Sequence, residues 1–122
     1  MKEKKYTADH EWLELEGDIV TVGITEYAQQ QLGDVVYIEL PEQDQSLSVG
    51  ESAVVIESVK AAGEICVPLA GTVVAVNTAL VEEPERVNED PTGDGWFFRM
   101  RMEQGGVLDG LLGEDDYSAL ID

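Results

Sequence analysis

The sequence predicts a mainly β domain, antiparallel and barrel-like or sandwich-like, with short helices at its periphery. Three observations carry that prediction. Four segments open with glycine and run into β-branched residues: GDIVTVG from Gly17, GDVVYIEL from Gly33, GESAVVIES from Gly50 and GTVVAVN from Gly71, each reading as a turn followed by a strand. Their openings lie sixteen to twenty-one residues apart, too close for a helix between every pair of strands, so neighbouring strands must join by tight reversals. Farther on, WFFRMRM alternates, with Trp96, Phe98, Met100 and Met102 on one side and Phe97, Arg99 and Arg101 on the other, the period of a half-buried strand.

Taken in order, EWLELEGDIVTV reads as a hairpin turning around Glu16, Gly17 and Asp18. TEYAQQQLG reads as the first helix, Thr25 capping its start and Gly33 ending it in a left-handed conformation. AVVIES and EICVP both read as strands, so VKAAG between them has to reverse the chain. NTALVEEPERVNEDPTGDG holds two of the four prolines and reads as a loop with one helical turn. GEDDYSALID reads as a last short helix, its acids placed at the start where the dipole favours them.

At 122 residues and 43% hydrophobic, the chain fits one domain spanning 1–122 with a real core. MKEKKYTADHEW lacks an apolar signal core, and no run approaches the roughly 18 apolar residues of a membrane span. A soluble protein is expected, cytoplasmic, or of the mitochondrial matrix if it is a processed eukaryotic form. Cys66 is alone and cannot form an internal disulfide; it reads as a small core filler. Against 26 acids stand seven Lys and Arg, a net charge of −19. Nucleic acid and anionic membranes are excluded as partners, because no basic stripe or basic helix exists to displace counterions from phosphates. The acid excess serves either solubility in a salty cytoplasm or steering toward basic partner proteins.

One residue departs from this pattern. After Lys5 the chain contains three arginines and a single lysine, Lys60, in ESVKAAGE. A surface lysine is ordinarily a solvated charge, but this chain does not use lysine for solubility. Set at a hairpin tip, with Ala61, Ala62 and Gly63 leaving room around it, its amine is open to other proteins. A lysine amine, once deprotonated, is a nucleophile toward an activated carboxyl group and forms a stable amide. A cofactor on such an arm reaches successive active sites at high effective concentration without dissociating.

HEWL at 10–13, VGITEYAQQQLGDVVYIELPE at 22–42, ESVKAAGEICVPLAGTVVAVN at 57–77 and VNEDPTGDGW at 87–96 together resemble the glycine cleavage system H proteins, over nearly the whole chain. The resemblance implies a barrel-sandwich hybrid of the lipoyl- and biotinyl-carrier kind, with lipoate attached covalently to Lys60. It implies a non-catalytic carrier that shuttles an aminomethyl group. The partners so implied are a pyridoxal-phosphate glycine decarboxylase that loads the arm, an aminomethyltransferase that unloads it to tetrahydrofolate, a dihydrolipoamide dehydrogenase that reoxidises it, and a lipoylating enzyme. By the same resemblance Glu57 and Gly71 match positions read by lipoylating enzymes. Their plainer readings are a solvated strand residue and a turn glycine opening a strand. Glu11 and Glu64 match acidic positions of a cleft that shields the aminomethylated arm; the plainer reading makes them ordinary surface acids. Many relatives have a hydroxyl residue where Gly63 stands and an aromatic one where Thr92 stands. His10 has no catalytic partner or metal-ligand spacing and is expected to pack or hydrogen-bond.

Biotinyl modules and the lipoyl domains of 2-oxoacid dehydrogenases share a hairpin lysine. The former usually flank it with methionines, where this chain has Val59 and Ala61; the latter usually put an acid before it and belong to longer chains. An H-like protein acting as lipoate relay or donor stays open, as does a protein-interaction barrel with the lysine unmodified. A Schiff-base enzyme would need a buried amine within a pocket and a nucleophile–base constellation, and the sequence offers neither.

Overall fold

The computed structural model describes residues 3–7, 10–48, 50–67, 70–102 and 111–121. β1 (Glu3–Tyr6) runs into β2 (Glu11–Glu16), which turns at Gly17 and Asp18 into β3 (Ile19–Ile24). Gly17 has φ +64°, a value that a two-residue hairpin turn requires and that glycine adopts without penalty. α1 (Glu26–Leu32) follows, capped by the Thr25 side chain, which accepts the Ala28 N–H. Gly33 ends it at φ +74° as expected. Its ψ of −151° is extended rather than left-handed helical, a combination essentially confined to glycine.

β4 (Val35–Glu39), the short β5 (Ser46–Leu47), β6 (Ser52–Ser58), β7 (Ala62–Cys66) and β8 (Gly71–Val76) come next. The proline-containing segment forms two short helices, α2 (Ala79–Glu82) and α3 (Arg86–Glu89), where the sequence suggests one turn. Pro84, lacking an N–H, falls between them and prevents a continuous helix. β9 (Phe98–Met102) and α4 (Glu114–Ile121) complete the described chain.

All strand pairs are antiparallel. They form a six-stranded sheet in the order β1-β2-β3-β9-β8-β5 and a three-stranded sheet in the order β4-β6-β7. The inner faces share one apolar core: Leu13, Val20, Val22, Val73, Phe98 and Met100 from the larger sheet, and Ile38, Val54, Ile56 and Ile65 from the smaller. Ala28 and Leu32 of α1 pack against it. Fully burying one such side chain contributes about 1.5–3 kcal/mol. The observed mostly β architecture, two sheets with short helices, agrees with the expected barrel-sandwich.

Two strand-level expectations need correction. β9 begins at Phe98, so period two no longer governs Phe97, which is fully buried in the core rather than outward. Its N–H donates to the Val22 carbonyl and its carbonyl accepts from Asn77 N–H. Trp96 instead lies half-buried beneath the Arg99 guanidinium, 4.2 Å from ring centroid to Cζ. Cys66 is exposed, not a core filler: on β7 it follows buried Ile65 and precedes buried Val67, so alternation turns it outward.

On the opposite face of β2, the buried Trp12 donates its indole N–H to the Pro91 carbonyl at 2.9 Å. Its cross-strand partner is Gly23, and a Cβ there would stand 2.6 Å from three indole atoms. The missing side chain is the space the indole occupies. Gly23→Ala is therefore expected to lower stability by about 1–3 kcal/mol, read as a lower urea midpoint with an unchanged denaturant slope.

Candidate functional site

Lys60 occupies the reversal between β6 and β7, at residues 58–61. Ser58 closes that reversal. Its N–H donates to the Ala61 carbonyl at 2.8 Å; its hydroxyl donates to the same carbonyl at 3.0 Å and accepts the N–H groups of Lys60 and Ala61 at 3.2 and 3.0 Å. A serine hydroxyl bonded to backbone two and three residues on is a standard way to fix a turn. The reversal is also anchored sideways, because Val59 N–H donates to the Asp34 carbonyl at 3.0 Å in the turn between α1 and β4. Lys60 is exposed and its neighbour Val59 is 66% exposed. The backbone is held while the side chain is offered to solvent.

Beside the tip lies a cleft of about 220 Å³. Gly63, Glu64 and Ile65 of β7 form one wall and Ala28, Gln31 and Leu32 of α1 another, with His10, Glu11 and Ile24 at the inner end. Glu11 and Ile24 are direct partners across β2 and β3, so the cleft bridges the two sheets. It brings together Glu11 and Glu64, 53 positions apart in the chain. They differ in kind. Glu64 is exposed as the plain reading expects, whereas Glu11 is only 4% exposed and is no ordinary surface acid. Its carboxylate accepts from the Thr7 hydroxyl at 3.3 Å, and its own N–H donates to that hydroxyl at 3.2 Å. Apolar walls with one buried and one exposed carboxyl group suit an aliphatic chain with a cationic end.

The remaining predicted residues lie elsewhere. Glu57 is exposed at the end of β6, opposite Tyr37 and Ala62. Gly71 opens β8 as expected, but it is buried, and its need for glycine is close approach rather than a turn. A Cβ there would collide with the Arg101 carbonyl and stand 2.8 Å from Met100 Cε. Among the described residues no cluster of three His, Cys, Asp or Glu could hold a metal ion, and no helix is long and apolar enough to cross a membrane.

His10 hydrogen-bonds, as expected, and through a network the sequence does not announce. It has φ +69°, and its Nδ1 lies 2.9 Å from the Tyr117 hydroxyl of α4. That hydroxyl lies 2.6 Å from Thr25 Oγ1, the cap of α1. Tyr117 also stacks on Tyr6, with ring centroids 4.8 Å apart. Three separated segments thus hold the inner end of the cleft, and no local motif relates them. Asn88 is the second residue missed. Its side-chain amide donates to the Gly33 carbonyl at 2.7 Å and accepts Val35 N–H at 2.8 Å, clasping the turn that also receives Val59.

A family model described as Glycine cleavage H-protein matches residues 4–122. The chain is 51% identical over 117 residues to the glycine cleavage system H protein of Thermotoga maritima, covering 96% of this chain and 94% of that protein. With the protein of the same name from Acidiphilium cryptum it shares 48% over 121 residues, covering 99% and 98%. The crystal structure of a glycine cleavage system H protein from Mycobacterium marinum superposes with a TM-score of 0.86 at 38% identity, covering 96% of this chain and 94% of that one.

The Tyr117 hydroxyl is a measurable part of this frame. Burial, first, pushes its pKa above the ordinary 10.0, and burial does the same for Tyr6, helped by the Glu114 carboxylate. Both raised values favour the protonated phenols in the folded state. Their contribution is fully present below pH 10 and is lost as pH rises through the higher folded values. Tyr117→Phe should cost about 1 kcal/mol at neutral pH by leaving the Thr25 and His10 groups short of a partner, and should flatten the alkaline fall in thermal midpoint.

Proposed function

The chain belongs to the glycine cleavage H-protein family, and from that premise we propose that Lys60 is the residue through which it carries lipoate. Membership makes the protein a lipoyl carrier of the glycine cleavage system and not itself a catalyst. One observation supports the residue assignment above all: Lys60 is exposed on a reversal whose backbone is fixed both by Ser58 and by Asp34. The residues around it fit the group. Its amine is accessible, and the adjoining cleft has Ile24, Ile56 and Leu32 for a hydrocarbon chain and two carboxylates for a cation.

Attachment is an acyl transfer. The deprotonated Lys60 Nζ would attack the carbonyl carbon of an activated acyl donor, the amide C–N bond forming as the bond to the donor's leaving group breaks, the leaving group departing with the bonding pair and the amine's proton passing to water. Once bound, lipoate supplies a disulfide that takes up an aminomethyl fragment as it is reduced. What this chain contributes is placement. Domain 1–122 holds the tip clear of the core, so that the glycine decarboxylase, the aminomethyltransferase and the dihydrolipoamide dehydrogenase each meet the same tethered arm at high effective concentration. Glu57, exposed three residues before Lys60, is open to a lipoylating enzyme. Gly71 is buried, so an enzyme that depends on it responds to the backbone shape it permits. Glu11 and Glu64 supply negative charge to the arm's cationic end.

Two measurements test this reading. Intact mass of protein produced in lipoate-supplied cells should show a lipoyl adduct, absent from Lys60→Arg, and that variant should support no glycine turnover with the partner enzymes. An unmodified wild type made beside a competent ligase overturns the assignment. The cleft is tested without any arm: a simple alkylammonium ion should shift the Gly63 and Ile65 amide resonances, and Glu64→Gln should weaken that effect up to about fivefold, the scale of one exposed charge contact. Glu11→Gln, at the buried end, should weaken it more. Equal shifts in wild type and both variants would remove the carboxylates from the proposal.

A further inference from the structure

Lys60 does not stand alone at its tip. A methyl group placed on Gly33 would come within 3.2 Å of Lys60 Cε and 3.3 Å of Cδ, so the aliphatic stem of the lysine lies on the bare backbone of that glycine. No other residue could serve as this seat, since a side chain would lift the stem and the φ, ψ pair of +74° and −151° excludes one anyway. Gly33 N–H closes the last turn of α1 on the Gln29 carbonyl, but the Gly33 carbonyl lies past the helix and needs a partner from elsewhere. Asn88 provides it. Its Nδ2 donates to the Gly33 carbonyl and its Oδ1 accepts from Val35, so one planar amide spans the turn at 33–35. Between those two bonds, the Asp34 carbonyl accepts the N–H of Val59, next to the lysine.

These contacts form a continuous chain: α3 carries Asn88, Asn88 holds the 33–35 turn, and the turn holds both the backbone before Lys60 and the stem of Lys60 itself. We propose that Asn88 is a positioning residue for the lipoylation of Lys60, acting through the Gly33 seat to limit the directions in which the amine is presented to the lipoylating enzyme. This rests on the assignment of Lys60 as the attachment site. Asn88 touches neither the amine nor the acyl donor. It lowers the ordering that the enzyme would otherwise have to impose on a four-carbon side chain with several rotamers.

The consequence is a selective loss. Asn88 contributes no atom to the surface around Glu57, so with Asn88→Ala KM should stay within about twofold, while kcat for enzymatic lipoylation falls about three- to tenfold, the scale of ordering one rotamer-rich side chain. Acetylation of Lys60 by a small activated ester, which needs no particular approach, should be as fast as in wild type or faster. Asn88→Asp keeps an acceptor for Val35 N–H and removes the donor to Gly33; it should show the same split and serves if the alanine variant does not fold. In the unmodified wild type, nuclear Overhauser contacts should join the Gly33 Hα protons to the Lys60 δ and ε protons. An unchanged kcat in both variants, a loss confined to KM, equal losses with enzyme and small ester, or the absence of those contacts overturns the proposal while leaving Lys60 as the carrier residue. A wild type that accepts no lipoyl group overturns the carrier assignment and this proposal together.

Discussion

Six strands share one core with three, and that inequality shapes everything the molecule offers to a partner. A six-stranded sheet cannot be covered by a three-stranded one, so apolar surface at the margin has to be closed by other means. α1 supplies part of it through Ala28 and Leu32. The closure is incomplete between α1 and the edge strand β7, and the space left there is the cleft beside Lys60. The cleft follows from core packing, and no separate structure is needed to build it. The same topology makes β6 central in its sheet, paired with β4 on one side and β7 on the other. The lysine-bearing reversal therefore starts from the best-supported strand of the smaller sheet.

Rigidity of the backbone and freedom of the side chain are both required of a carrier, and they are met by different interactions. Turn amides at 58–61 are satisfied locally by Ser58 and laterally by Asp34, which fixes where the Lys60 side chain begins. The stem rests on a glycine, a contact made of dispersion alone, worth only tenths of a kcal/mol for each atom pair. Such a contact restricts the lysine at rest and releases it at little cost when an enzyme approaches. A salt bridge at the same place would bind the amine and compete with acylation. The acid-rich chain leaves Lys60 exposed nonetheless, with Glu57 and Glu64 beyond the turn on either side of it. A net charge of −19 attracts any basic surface at long range and repels acidic ones.

Legibility in the sequence followed the range of the interaction. The Gly17 turn, the Thr25 cap, the reversal at VKAAG and the alternation of β9 from Phe98 onward are decided by residues a few positions apart, and each was readable. Phe97 was not, because β9 begins one residue after it and hydrogen bonds to Val22 of β3 and from Asn77 place it. Cys66 was misread because lone cysteines are commonly buried, whereas the alternation of EICVP, with Ile65 and Val67 inward, already pointed it out. Gly71 and Gly33 were each read locally, as a turn and a helix end. The turn does not account for Gly71, and what both glycines admit, the β9 backbone and the Lys60 stem, exists only once distant segments meet. Asn88 and Tyr117 act across 55 and 107 positions, and nothing at that separation has a sequence period.

The cleft end of the site shows how a buried carboxyl group is accommodated in a small protein. Glu11 is nearly out of water at 4% exposure, and a carboxylate so placed is costly unless its oxygens are engaged. The Thr7 hydroxyl donates to one of them and accepts the Glu11 N–H in return. The strand carrying Glu11 is held by Ile24 across the sheet, while adjacent His10 is pinned at positive φ by Tyr117, itself bonded to the cap of α1. Each neighbour of Glu11 is thus fixed from a different segment. A side chain mounted this way has less freedom to lose than a flexible surface acid. Exposed Glu64, free to move, sets the opposite margin. The asymmetry gives the cleft one buried carboxyl group and one exposed one.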